Sequence, residues 1–97
     1  MFARLMIAPM KMDKLDEAIN IYMESIGPVV KLQKGYVGAY LLVDRKTGKV
    51  ISISLWDNEE EAIANEKSGY LQEQVVKLKE FFTAPVTREG YEANALD

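Results

Sequence analysis

Residues 36–56 read YVGAYLLVD, then RKTG, then KVISISLW, and this stretch decides the fold. Two runs rich in β-branched and aromatic residues, 36–43 and 49–56, flank a short polar segment. Gly48 stands where a residue with a left-handed backbone would close a type I turn. The stretch therefore predicts a β-hairpin, which is the strongest local signal in the chain.

The residues before the hairpin predict a strand followed by a helix. Residues 2–8 are almost all apolar and Pro9 closes the run, as is typical of a strand. Asp13 is a predicted N-cap, because a carboxylate favours the positive end of a helix. Apolar residues follow it at helical spacing. The Gly-Pro pair at 27–28 interrupts the helix, which we expect to resume briefly and to end before Gly35.

The residues after the hairpin predict a second helical region and a last strand. Asn58 is a predicted N-cap with three glutamates behind it, and the Ser-Gly pair at 68–69 divides the helix in two. Pro85 ends the second segment, and residues 86–92 form a weaker, more polar strand. The order is βαββαβ, which predicts an α+β, ferredoxin-like fold with an antiparallel sheet.

Side-chain alternation in the strands predicts what lies on each face of the sheet. One set is consistently aliphatic, and we assign it to the helices: Ala3, Leu5, Ile7, Val37, Ala39, Leu41, Ile51, Ile53 and Leu55. The opposite set mixes large apolar side chains with polar ones: Phe2, Arg4, Met6, Tyr36, Tyr40, Leu42, Val50, Ser52, Ser54 and Trp56. A solvent-facing sheet would not carry so many large apolar residues, and the chain has no further element to cover them. We therefore predict a homodimer that pairs through this second face.

Length and charge restrict the possible functions. The 97 residues have room for a single domain, which we place at 1–92 with a flexible C-terminal tail at 93–97. The net charge of −3 disfavours a nucleic-acid partner, whose phosphates require a basic surface. No apolar run approaches the ~20 residues of a membrane span, and the N-terminus does not read as a signal peptide. We therefore expect a cytoplasmic protein with no membrane contact.

The chain contains no cysteine and no histidine. Disulfides, thiol nucleophiles, zinc sites of cysteine and histidine, histidine-dependent triads and haem with an axial histidine are therefore excluded. The sequence also lacks a spaced acidic loop for Mg²⁺ or Ca²⁺ and a glycine-rich loop of the dinucleotide-binding type. We accordingly expect no cofactor and no metal.

Three stretches resemble the antibiotic biosynthesis monooxygenase (ABM) family. They are GYVGAY at 35–40, SISLWDNEEEA at 52–62 and REGYE at 88–92, and the resemblance extends over nearly the whole chain. It implies a dimeric α+β barrel, in which two ferredoxin-like sheets face each other. The family includes cofactor-independent monooxygenases of polycyclic aromatics, haem-degrading enzymes and members with no assigned activity. The haem-degrading branch uses a histidine ligand and a pocket tryptophan, whose position falls at about Asn65, so this chain does not resemble that branch.

The resemblance implies a cofactor-independent monooxygenase that acts on a small electron-rich aromatic substrate, phenolic or anthrone-like. Such a substrate, once deprotonated, can itself reduce O₂. The protein would supply an apolar cavity between sheet and helices, a group that takes a proton, and donors for the phenolate. The candidate catalytic residues are Tyr22 and Asn65, and the candidate substrate-binding residues are Tyr70, Trp56 and Arg4.

Each candidate also has a purely structural interpretation. Tyr22 lies on the apolar face of its helix, Tyr70 could stabilise the helix restart, and strand alternation places Trp56 on the dimer face. Arg4 could form an interface ion pair, and Asn65 could face solvent. A second function therefore stays open, that of a non-enzymatic homodimer that binds a small hydrophobic ligand or serves as an accessory subunit. A cavity in which two or more polar groups converge would favour the enzyme.

Overall fold

The computed structural model describes all 97 residues and has the predicted βαββαβ order. The strands are β1 (Phe2–Pro9), β2 (Tyr36–Asp44), β3 (Lys49–Trp56) and β4 (Thr87–Glu92). The helices are α1 (Leu15–Ile21), α2 (Gly27–Val30), α3 (Glu59–Lys67) and α4 (Tyr70–Leu78). A π-helical segment, Tyr22–Ile26, joins α1 to α2, and 3₁₀ turns lie at Met12–Lys14 and Lys79–Phe81. None of these helices combines the length and the apolarity that a membrane crossing requires.

The four strands form one antiparallel sheet in the order β2-β3-β1-β4. The two central strands pair over their full length, from Phe2 opposite Trp56 to Pro9 opposite Lys49. A bulge at Val37 shifts the register between β2 and β3. The fold is therefore α+β and ferredoxin-like, as the sequence predicted.

The hairpin between β2 and β3 forms as predicted. Gly48 has a φ of 82°, and its N–H donates to the carbonyl oxygen of Asp44 at 2.9 Å. A Cβ at this position would also meet the carbonyl oxygen of Met10. Glycine is thus required both for the left-handed backbone and for the close approach of a neighbouring segment.

The boundary between α3 and α4 is confirmed as well. The side chain of Asn58 accepts a hydrogen bond from the N–H of Glu61 at 2.9 Å and so caps α3. Gly69, with a φ of 87°, lies between the two helices. These local features fix where α4 begins, and with it the position of Tyr70.

The predicted N-cap at Asp13 is wrong. Asp13 lies within the 3₁₀ turn, and α1 begins at Leu15 without a side-chain cap. The preceding residues are still bound to distant segments, because Met10 donates to the carbonyl of Gly48 and Lys11 to that of Phe81, both at 2.9 Å. These long-range hydrogen bonds delay the start of the helix.

The helices cover one face of the sheet, and the hydrophobic core lies between the two layers. Its buried members come from β1, the segment after it, α1, β3, α4 and the last 3₁₀ turn: Ala8, Met10, Leu15, Ala18, Val50, Leu78 and Phe81. Tyr22 and Ile26 pack against this cluster from the π-helical segment. The core therefore occupies one end of the covered face and leaves the other end for a different set of side chains.

The predicted assignment of the two sheet faces is wrong for β1 and β3. Val50 and Trp56, assigned to the dimer face, are 1% and 0% exposed beneath the helices, and Arg4 is buried with them. On β2 the assignment is right for Tyr40, which lies on the open face, and for Leu41, which packs towards the core. It is wrong for Tyr36, which precedes the bulge and contacts Trp56 on the covered face. Alternation separates two sets of side chains, but when both sets are apolar it does not say which one the helices cover.

The open face of the sheet is a continuous apolar surface. It carries Leu5, Ile7, Tyr40, Leu42, Ile51, Ile53 and Leu55, which alternate with the residues of the covered face. Tyr40 is 67% exposed and Leu42 is 48% exposed. No segment of the chain covers this face, so an uncovered apolar sheet is present, with mostly different residues from those predicted.

Candidate functional site

A cavity of about 290 Å³ lies between the helices and the covered face of the sheet. Hydrophobic residues make up 17 of its 24 lining residues, among them Ile26, Leu41, Leu71 and Val75. No aspartate or glutamate lines it. Its volume is near the lower end of the range for small-molecule pockets, so it suits a small and largely apolar ligand.

Arg4 is the charged group at the sheet side of this cavity. It lies in the middle of β1, lines the cavity and is only 3% exposed. Its Nη1 donates to the carbonyl oxygen of Ala62 at 3.3 Å, and its Nη2 donates to Oδ1 of Asn65 at 3.0 Å. Burial lowers the pKa of Arg4, and the nearby carboxylate of Glu66 opposes that effect. The guanidinium remains cationic at neutral pH, because arginine is not deprotonated in proteins.

The counter-ion of Arg4 is shared with a second arginine. Oε2 of Glu66 is 3.8 Å from Nη1 of Arg4, whereas Oε1 of Glu66 makes a much closer contact with Nη1 of Arg88 on β4. The Nε atom of Arg4 is buried and has no hydrogen-bond acceptor. Arg4 is therefore incompletely compensated, both in charge and in hydrogen bonds.

Two aromatic rings lie beside the guanidinium. The carbon Cζ of Arg4 is 5.0 Å from the ring centroid of Trp56, which is a cation–π distance. The indole N–H of Trp56 donates to Oγ of Ser54 at 2.9 Å. Tyr36 meets Trp56 edge to face, with ring centroids 6.3 Å apart. Trp56 itself does not line the cavity, so its contribution to the site is its contact with the guanidinium of Arg4.

Two tyrosines supply neutral donors to the cavity. Burial raises the pKa of Tyr22 to about 12. Burial also raises the pKa of Tyr70, while the positive charge of Arg4 acts in the opposite direction. Both tyrosines line the cavity, and their hydroxyls stay protonated at neutral pH, so these groups can donate hydrogen bonds but cannot serve as general bases in their resting state.

Comparison with solved structures gives consistent matches over the whole chain. A protein of Deinococcus radiodurans, provisionally named an antibiotic biosynthesis monooxygenase, has a TM-score of 0.79 at 13% identity, over 100% of this chain and 96% of that one. A monooxygenase of Streptomyces coelicolor from the gene ActVA-Orf6, solved with the ligand Nanaomycin D, has a TM-score of 0.76 at 13% identity, over 99% and 89% of the chains. A similarly named protein of Nitrosomonas europaea has a TM-score of 0.76 at 12% identity, over 96% and 98%.

The chain has the ABM fold. No protein-family model matches the sequence, and no curated protein matches it. At identities of 12–13% the property that is shared is the fold, so the reaction has to be argued from the residues of the cavity.

Four of the five predicted site residues form one group around Arg4, although only Arg4 and Tyr70 of this group line the cavity. Arg4 contacts Asn65 and Trp56 and lies within electrostatic range of Tyr70. Tyr22 also lines the cavity but packs against the core cluster that contains Ala8.

Asn65, a candidate catalytic residue, does not line the cavity. It is buried on α3 behind Arg4, where Oδ1 accepts from the guanidinium and Nδ2 donates to Oε1 of Gln33 at 3.1 Å. Neither the solvent-facing nor the pocket-lining interpretation describes it. Asn65 positions Arg4.

Tyr36 and Glu66 belong to this site and were not among the predicted residues. Tyr36 lines the cavity next to the aromatic pair, and Glu66 holds the only carboxylate near Arg4. Glu66 carries no local signal, because it looks like any glutamate of a polar helix. The charge of Arg4 in an apolar strand was the usable signal, since a buried cation requires a carboxylate somewhere nearby.

Proposed function

We propose that this chain is a cofactor-independent monooxygenase that oxidises a small electron-rich aromatic substrate, phenolic or anthrone-like, with O₂. One observation carries the proposal: an apolar cavity of about 290 Å³ whose lining residues include a buried arginine, Arg4, and two protonated tyrosines, Tyr22 and Tyr70. The likeness in fold to structures named as monooxygenases supports it.

The reaction balances without an external reductant. For an anthrone, the ring CH₂ and O₂ give a ring C=O and H₂O, so the substrate supplies all the electrons. No carboxylate lines the cavity to act as a base, so the proton of the substrate passes to water. The cation of Arg4 favours binding of the anionic form. Hydrogen bonds from Tyr70 and Tyr22 stabilise the anion, which transfers an electron to O₂. The apolar walls exclude water from the reactive intermediate.

Oxygen uptake tests the proposal. The native protein should consume one O₂ per quinone formed from a dihydroxynaphthalene or an anthrone, with a chelator present and no added cofactor. Losing one charge-assisted hydrogen bond costs about 1.5–3 kcal/mol, so Tyr22→Phe and Asn65→Ala should each slow turnover by roughly ten- to a hundred-fold. Asn65→Ala acts through the position of Arg4. Lys46→Ala, in the exposed hairpin loop, is the control and should leave the rate unchanged.

Two outcomes would contradict the assignment. Native rates in both variants would mean that the site is misplaced. No oxygen uptake with any substrate of the panel would favour the second candidate function, a non-enzymatic protein that binds a small hydrophobic ligand. The observation that favours this alternative is the absence of any carboxylate from the lining residues.

We also infer that the chain forms a homodimer through the open face of the sheet. The support is the continuous apolar surface around Tyr40 and Leu42, which no segment of the chain covers. A second copy presents the same surface and would cover it by a two-fold arrangement. The ABM resemblance implies the same pairing.

A further inference from the structure

We propose that the ligand of the cavity carries a carboxylate, which binds the guanidinium of Arg4 while the apolar body of the ligand fills the remaining space. The inference names a substrate class for the proposed monooxygenase and rests on that function for the reaction. Binding of the carboxylate is independent of turnover and is tested separately.

The balance of charge around Arg4 calls for an additional anion. Arg4 and Arg88 share one carboxylate, that of Glu66, so the group carries a formal net charge of +1. Glu66 lies closer to the exposed Arg88, and its 3.8 Å separation from Arg4 is too long for a hydrogen bond. The buried arginine, Arg4, is therefore less well neutralised by the carboxylate of Glu66 than the exposed Arg88 is. A buried cation is stable when it is paired, and Arg4 is one of the residues that line the apolar cavity.

The hydrogen bonds of Arg4 lead to the same conclusion. A guanidinium has five N–H groups, and this one makes hydrogen bonds only to the carbonyl of Ala62 and to Asn65. Its Nε is the only buried side-chain nitrogen or oxygen in the chain that has no hydrogen-bond partner. Such atoms are rare in folded proteins, and a ligand oxygen would give this one an acceptor.

A carboxylate fits these two requirements better than other acceptors. A neutral carbonyl would satisfy the N–H group but leave the charge unpaired. A phosphate would bring up to two negative charges to a site with a net charge of +1 and no further buried cation. A carboxylate supplies one charge and two oxygens, in the planar geometry that a guanidinium binds with parallel hydrogen bonds.

Titration calorimetry with a shape-matched pair of ligands tests the inference. The probes are 2-naphthoate and its neutral isostere 2-naphthamide, measured at pH 7 and fixed ionic strength with the native chain. We expect naphthoate to bind at least ten-fold more tightly, as one charge-assisted interaction implies. Arg4→Met keeps the apolar stem and removes the charge, so it should abolish this preference. Arg45→Met, on the exposed hairpin loop, is the matched control and should retain the native preference.

A second variant keeps the test decisive if Arg4→Met fails to fold. Asn65→Asp replaces the acceptor 3.0 Å from Nη2 by a carboxylate of the same shape, which supplies the missing charge from within the chain. It should lower naphthoate affinity at least five-fold with no change for naphthamide, an effect that a merely structural asparagine would not produce. Equal affinities in the native chain, no binding of either probe, or an unchanged preference in Asn65→Asp would overturn the inference. Naphthoate preference without oxygen uptake would leave it standing and contradict only the proposed reaction.

Discussion

Replacing Tyr22 with phenylalanine should remove a defined part of the alkaline pH dependence of stability. Burial raises the pKa of Tyr22 from 10.0 to about 12 in the folded chain. Because the folded pKa is the higher one, the stabilising contribution is fully present below pH 10 and is lost as the pH rises towards 12. Two pKa units correspond to about 2.7 kcal/mol in total, of which about half, ~1.4 kcal/mol, is lost at pH 11.

Urea unfolding of the native chain and of Tyr22→Phe at pH 8 and pH 11 measures this loss. Other groups also titrate in this range, but their effects are common to both proteins and cancel in the difference. Between the two pH values, the native chain should lose about 1.4 kcal/mol more free energy of unfolding than the variant. Equal losses would show that the hydroxyl of Tyr22 is as accessible to water in the folded chain as in the unfolded one. Tyr22 would then not be a buried donor of the cavity.

Three further predictions concern the assembly and the fold. Tyr40→Asp places a charge on the open sheet face and should convert a native dimer into a monomer or an aggregate, which light scattering would detect. A native chain that is monomeric at micromolar concentration would contradict the inferred pairing. Asn58→Ala removes the N-cap of α3 and should lower the free energy of unfolding by about 1 kcal/mol, so an unchanged urea midpoint would refute the role of the cap. Gly48→Ala forces a side chain into a left-handed turn against the carbonyl of Met10 and should lower the free energy of unfolding by more than about 1 kcal/mol. A decrease of only a few tenths of a kcal/mol would mean that the turn relaxes freely.

The parts of the fold that were predictable depend on short-range chemistry. A glycine that needs a positive φ at position 48, or an asparagine that caps α3 through the N–H three residues later, is determined by its own neighbours. The start of α1, by contrast, is not determined by its own neighbours. Lys11 hydrogen-bonds to Phe81, and no local pattern contains a contact between residues 70 positions apart.

The candidate site was predictable as a set of residue types and not as an arrangement. Arg4 was identified as an unusual charge in a strand, and Trp56 and Tyr70 were identified from their places at a strand end and at a helix break, near the cavity that the ABM resemblance implied. Their convergence depends on which sheet face the helices cover, and alternation alone left that choice open. The contact between Arg4 and Asn65, which are 61 residues apart, gives Asn65 a positioning role that sequence periodicity could not assign.

Trp56 is the only tryptophan of the chain, it is fully buried, and a cationic group lies 5.0 Å from its ring. Its fluorescence therefore comes from one place, directly beneath the guanidinium. An anion that approaches Arg4 changes the electric field across the indole ring, and unfolding exposes the same ring to water. The chain thus contains an intrinsic optical probe whose emission should distinguish the empty site, the anion-filled site and the unfolded state without any added label.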